Sequence, residues 1–253
     1  VKGDGEKMTC SLFILALVLP AMDIDSLTAN LHLETAFAYI EQGLPDKALG
    51  EFTLALEIDD SAYEAYLGLG RIAVLNGSWA AAEENYATYM SFKPDDYRAP
   101  LEMAELFLLL PGRLQDALYY SDTALSLAPL NGQCWLAAAQ ICARLGNVDE
   151  AISWYSRIII EDELLACEAR VQMGMLLFQQ GRLSESREIL LPAAASGRAE
   201  AFRILALLYL EQRDSLRAID SINRYLYIEP QGLWADSARA CLEELGSGTI
   251  LNN

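Results

Sequence analysis

The sequence predicts an all-α array of paired helices rather than one globular core, on three observations. Small residues recur at near-constant intervals: Ala48, Ala82, Ala117, Ala151, Ser186 and Ala218, spaced by 34, 35, 34, 35 and 32 positions. A second small series, Ala36, Gly70, Ala104, Ala139, Gly174 and Ala206, runs twelve positions ahead, with one extra residue after Ala104. The chain is rich in Ala, Leu and Glu, and no alternating Val/Ile/Thr run suggests a sheet. A period in the thirties with small residues at fixed phase marks helix pairs that bury their apolar faces by stacking.

The chain opens with VKGDGEKMT and Cys10, followed by an apolar run over 12–22 and the acidic segment DIDS. The run is too short to cross a bilayer comfortably as a helix. It has the length of a signal-peptide core, ends near Ala21 and precedes Asp23 and Asp25. Residues 1–25 therefore read as a signal for export to the periplasm or outside the cell. The alternative is an apolar N-terminal helix packed on the array, with the protein cytoplasmic. No integral membrane span is expected.

The first pair occupies 29–62. Its helix A carries Ala36 and Tyr39, Gly43 breaks it, and Pro45 opens helix B where a missing N–H costs nothing. Helix B places Ala48, Phe52 and Ala55 on one face, and Asp59, Asp60 and Ser61 close the pair and can cap the next helix. The second pair repeats the plan with Tyr66, Leu69, Gly70, Gly77, Ala82, Tyr86 and Pro94. The third has Met103, Ala104, Phe107, Gly112, Ala117 and Pro129, with an extra residue near Pro111. Trp135, Ala139, Gly146, Ala151 and Tyr155 mark the fourth, and Met173, Gly174, Gly181, Ser186 and Leu190 the fifth. Phe202, Ala206, Tyr209, Ala218, Tyr225 and Pro230 mark the sixth. A longer loop is expected before the fifth pair and a shorter one before the sixth.

After Pro230, residues 231–246 hold one more amphipathic stretch. Trp234, Ala238, Cys241, Leu242 and Leu245 form its apolar stripe, which predicts a capping helix over 233–245 and a flexible tail over 247–253.

These residues resemble the tetratricopeptide repeat. Tyr66, Leu69 and Gly70 are similar to its opening, while Ala48 with Phe52, and Ala82 with Tyr86, are similar to its second half. Pro94, Pro129 and Pro230 fall at its terminal proline. Six units in phase over 29–230 carry the match. Pro100, Arg170, Ser121 and Ser186 depart from the family pattern, and predict looser packing in the third and fifth units. The resemblance implies a right-handed superhelical solenoid that binds partner proteins in a concave groove lined by helix A of each pair.

Carried onto this chain, the groove positions are Leu33, Phe37, Leu67, Arg71, Val74, Leu101, Glu105, Leu108, Leu136, Gln140, Val171, Met175, Phe178, Arg203 and Leu207. The leading position of each set is apolar in five pairs of six. An apolar spine on an acidic molecule suits an apolar or basic peptide or helix; alternatively, some of these leucines pack against neighbouring A helices. A clamp for a partner's C-terminal carboxylate is disfavoured, because Leu67, Arg71, Leu101 and Glu105 stand where its Lys, Asn and Arg would be needed.

The 36 acidic and 18 basic residues give a net charge of −18, which repels nucleic acid and anionic lipid. The five cysteines, Cys10, Cys134, Cys142, Cys167 and Cys241, show no disulfide or metal spacing and read as structural. His32 falls where the family places a large buried residue and reads as packing. Adjacent acids at Asp95–Asp96 and 161–163 read as helix caps. No phosphate loop, metal cluster or nucleophile with its base is present in the sequence, so no cofactor and no catalysis are expected. The resemblance implies a non-enzymatic scaffold or adaptor which, if exported, would serve bacterial envelope or secretion assembly. The other reading is a substrate-recruiting or regulatory subunit of an enzyme whose catalytic chain is separate.

Overall fold

The computed structural model describes residues 24–246, so the apolar run, Cys10 and the tail over 247–253 lie outside the described residues. Within them are thirteen helices and no strand. They are α1 (Ile24–Glu41), α2 (Pro45–Ile58), α3 (Glu64–Leu75), α4 (Trp79–Phe92), α5 (Arg98–Leu109), α6 (Leu114–Leu127) and α7 (Gly132–Leu145). The others are α8 (Val148–Glu161), α9 (Glu163–Gln179), α10 (Leu183–Ala195), α11 (Ala199–Glu211), α12 (Ser215–Ile228) and α13 (Ala235–Gly246). Odd-numbered helices up to α11 are the A helices and even-numbered ones the B helices. The chain divides into two compact units after Leu106, inside α5.

In the first unit, α1 packs on α2, α3 on α4, and the A helices α1 and α3 on each other. The small residues are small because aromatic rings occupy the space a side chain would need. A Cβ on Gly70 would lie 2.3 Å from the Tyr86 ring, and one on Gly68 would lie 2.0 Å from the Phe52 ring. Phe52 thus fills the wedge between the first pair and α3. Burying a ring of this size stabilises by about 2–3 kcal/mol. Phe37 meets Phe52 edge-on at 5.0 Å.

The second unit repeats this packing: α7 on α8, α9 on α10 and α11 on α12, with the A helices α7 and α9, and α9 and α11, in contact. Ser186, in the small-residue series, is fully buried, and its hydroxyl donates to the Gly174 carbonyl at 2.7 Å. The fifth pair is therefore closely packed, contrary to the expectation of looseness there. In α6, Ser121 is buried with its hydroxyl unpartnered among the described residues. Helix α13 buries Ala235, Ala238 and Leu245 in the same core as α12, and Trp234 meets Tyr225 edge-on at 5.1 Å.

Local chemistry sets the helix ends. Asp162 caps α9, accepting from the Leu164 and Leu165 amides at 3.1 Å. Asp96 accepts from the Arg98 amide at 2.9 Å, and its carboxylate also receives the Arg98 guanidinium and the Tyr89 hydroxyl. Five of the six turns within pairs use a glycine at positive φ; the sixth places Arg213 there, at φ 58°.

Three expectations change. Helix α1 begins at Ile24, earlier than the first repeat does. No longer loop precedes the fifth pair: only Asp162 separates α8 from α9, and the additional residues lengthen α9 to 17 residues. His32 is half-buried rather than packed away, with Nδ1 2.6 Å from the Glu51 carboxylate. The turn before the sixth pair is short, with three residues between α10 and α11. Cys142 is buried. Burial, followed by the nearby Glu150 carboxylate, pushes its thiol up to about 11, which keeps it protonated and unreactive at neutral pH.

Candidate partner-binding surface

The groove positions divide by depth. Leu33, Leu67, Leu136 and Val171, the leading residues of four sets, are buried, Leu67 to 1% exposure. They face neighbouring helices, because consecutive A helices touch along this line. The accessible positions are mostly the later ones, together with the leading residues Leu101 and Arg203. Phe37, Arg71, Val74, Leu101, Leu108, Gln140, Met175, Phe178, Arg203 and Leu207 are half-buried, and Glu105 is exposed.

In the first unit, Arg71 is committed to a network. Its Nε donates to Glu102 Oε1 at 2.6 Å, and its guanidinium lies 5.9 Å from the centre of the Phe37 ring. The Tyr86 hydroxyl donates to the other Glu102 oxygen at 3.2 Å. Burial, then Glu102, raises the Tyr86 phenol well above its ordinary value, so it stays a donor. Glu102, absent from the sequence-derived set, thus holds α1, α3 and α5 in register through Phe37 and Arg71. Arg71 is charge-paired and structural as much as it is accessible.

In the second unit, Leu108, Gln140 and Met175 come together in a cleft of about 300 Å³. Its other walls are Ala143 and Arg144 of α7, Tyr155 of α8, and Gln172, Leu176 and Gln179 of α9. Arg144 donates to the Leu108 carbonyl at 3.2 Å. The floor is apolar, and three carboxamides and one arginine edge it. Each carboxamide offers both a donor and an acceptor, which matches the peptide backbone. Gln172, Gln179 and Arg144 lie outside the inferred set: Gln172 and Gln179 follow Val171 and Phe178 by one position on α9, and Arg144 follows Gln140 by four on α7. Phe178 packs partly into the C-terminal core, and Arg203 pairs with Glu200 on its own helix, its Nε 2.8 Å from a carboxylate oxygen.

A chain of stacked helix pairs, with small residues at the contacts and a cleft on its A helices, is a helical-repeat interaction scaffold. Tetratricopeptide repeat models match residues 33–97 and 171–232 in one case and 108–163 in another, and the chain belongs to the tetratricopeptide repeat family. Proteins of this family are generally non-catalytic. No curated protein matches the chain.

Solved structures share the fold. pilF of Pseudomonas aeruginosa superposes with a TM-score of 0.69 at 16% identity, over 85% of this chain and 98% of that one. PilW, a widely conserved type IV pilus biogenesis factor, gives 0.73 at 15% identity over 83% and 97%. A chain of the APC/C hetero-tetramer Cut9–Hcn1 gives 0.73 at 15% identity, over 90% of this chain but only 45% of that one. Pilus biogenesis and the APC/C share this architecture, so the fold alone does not select a partner. Among the described residues, no helix is long and apolar enough to cross a membrane.

Proposed function

We propose that the chain is an assembly scaffold that holds an extended or helical segment of a partner protein in the cleft between α7 and α9. The observation that carries this reading is the ring of Gln140, Gln172, Gln179 and Arg144 around an apolar floor at Leu108, Met175 and Leu176. The carboxamides bond the partner's backbone, an apolar side chain enters the floor, and basic flanking residues are drawn by the net charge of −18. Site-specific photo-crosslinking from Gln172 in the full chain tests it. A discrete partner is expected to cross-link, and Met175→Asp should abolish the product while leaving helicity unchanged. Cross-linking that persists in Met175→Asp would place the site elsewhere.

The groove residues outside this cleft, including Arg71 and Arg203, play a supporting part, holding the A helices in position. Service in bacterial envelope assembly, after export directed by residues 1–25, completes the proposal. The likeness in fold to pilF and PilW over most of the chain supports it. Mass spectrometry of the protein from its own cells is expected to find a mature N-terminus near Met22; an intact N-terminus would contradict export.

A further inference from the structure

The chain's acidity is unevenly distributed. Residues 24–181 hold eight basic and twenty-three acidic side chains, whereas 182–246 hold eight arginines and ten carboxylates. Between the B helices α10 and α12, within this balanced region, lie two adjoining hollows of about 360 and 450 Å³. They share walls at Ala194, Ala195, Phe202 and Arg224. Two alanines on α10 face the opening where larger side chains would close it, so the aromatic residues of α11 form the floor.

The inner hollow is lined by Arg217 and Arg224 with Asp220 between them. Arg217 and Arg224 stand seven residues, two helical turns, apart on α12, each with its guanidinium 5.7 Å from a ring centre, Tyr209 and Phe202 in turn. Stacking fixes a guanidinium's plane and leaves its edge available for a carboxylate. Their present partners, Asp214 at 3.4 Å and Asp220 at 3.0 Å, are neighbours on the surface, and such pairs exchange at little cost. Arg187 precedes Leu191 by one turn on α10, and Arg198 is exposed next to the wall residue Gly197. Tyr227, 89% exposed, lines the outer hollow and offers an aromatic face.

We infer that this groove is a second partner site, which takes an acidic amphipathic helix. Its aromatic or leucine side chains fill the two hollows, and its carboxylates meet Arg187, Arg198, Arg217 and Arg224. Over 24–181 carboxylates outnumber basic side chains almost three to one and disfavour an acidic helix; here an apolar floor lies beside four arginines against the two carboxylates Asp214 and Asp220. The A-helix cleft and this groove draw on opposite partner charges, so the two sites would join two different proteins.

The test uses the full chain and two synthetic helical peptides of about four turns, identical in their Leu and Phe positions. One carries Glu on its remaining faces, the other Lys. In fluorescence anisotropy the Glu peptide should bind at least about tenfold more tightly than the Lys peptide, and more weakly as salt rises. The double variant Arg187→Glu/Arg224→Glu should lose at least about tenfold in affinity, and Ala195→Trp, which fills the hollow from an exposed position, should lose it as well. Circular dichroism of both variants should match the parent. Met175→Asp should leave this binding intact, which separates it from the cleft. Equal binding of both peptides, no binding of either, or affinity unchanged in both variants would overturn the inference. So would a concentration-dependent dimer abolished by Arg224→Glu, which would assign the groove to a second copy of the chain.

Discussion

Two buried serines stand where the repeat pattern asks for other residues, with opposite consequences. Ser186 donates to the Gly174 carbonyl, so Ser186→Ala should destabilise by about 1 kcal/mol. Ser121 has no partner for its hydroxyl among the described residues, so Ser121→Ala should stabilise by about 1 kcal/mol. Urea denaturation of the pair distinguishes the signs. Arg213 occupies a left-handed conformation that glycine fills in the other five turns within pairs, and Arg213→Gly should raise stability by about 0.5–1 kcal/mol. Asp96 gives a pH signature. Burial pushes its carboxyl up, but the Arg98 side chain and amide and the Tyr89 hydroxyl outweigh this and hold it at about 2, below the ordinary 3.8. A folded-state value below the unfolded one gives stability that is complete above the unfolded value and lost as pH falls towards 2. Between those limits, Asp96→Asn should flatten the acid limb of the stability curve.

At the scale of elements, the contact between paired helices decides what each sequence position tolerates. Alanine normally favours a helix over glycine by up to about 1 kcal/mol, but a Cβ on Gly70 meets the Tyr86 ring at 2.3 Å. Overlap wins, and Gly70→Ala should destabilise by about 1–3 kcal/mol in thermal unfolding. Helix α13 is proposed as the cap of the C-terminal core, where Ala235, Ala238 and Leu245 close over residues of α11 and α12. A chain ending at Pro230 should unfold about 10 °C lower and aggregate more readily. An unchanged melting temperature would remove that role.

At the scale of the molecule, the repeat phase was legible because backbones in close approach exclude side chains, which leaves Ala36, Gly70, Ala139 and Gly174 on a fixed beat. The accessible face was less legible. A leucine at Leu67 or Leu136 looks the same whether it waits for a partner or packs on the next A helix, and only the packing of consecutive A helices decided for burial. Gln172 and Gln179 carry no periodic signal of their own. They acquire meaning only because α9 brings them beside Met175 and opposite Gln140. The groove between α10 and α12 was invisible for a related reason: Ala194 and Ala195 read as two more small residues, and their effect is the space they leave.

Methionine methyl spectroscopy reads occupancy of the proposed cleft between α7 and α9 at Met175. In the full chain labelled at its methionine methyls, addition of the partner segment recovered from the Gln172 cross-link should shift the Met175 resonance, while Met103, buried in the first unit, stays fixed. A Met175 resonance that does not move at saturating segment, with shifts confined to other residues, would place the partner outside the cleft.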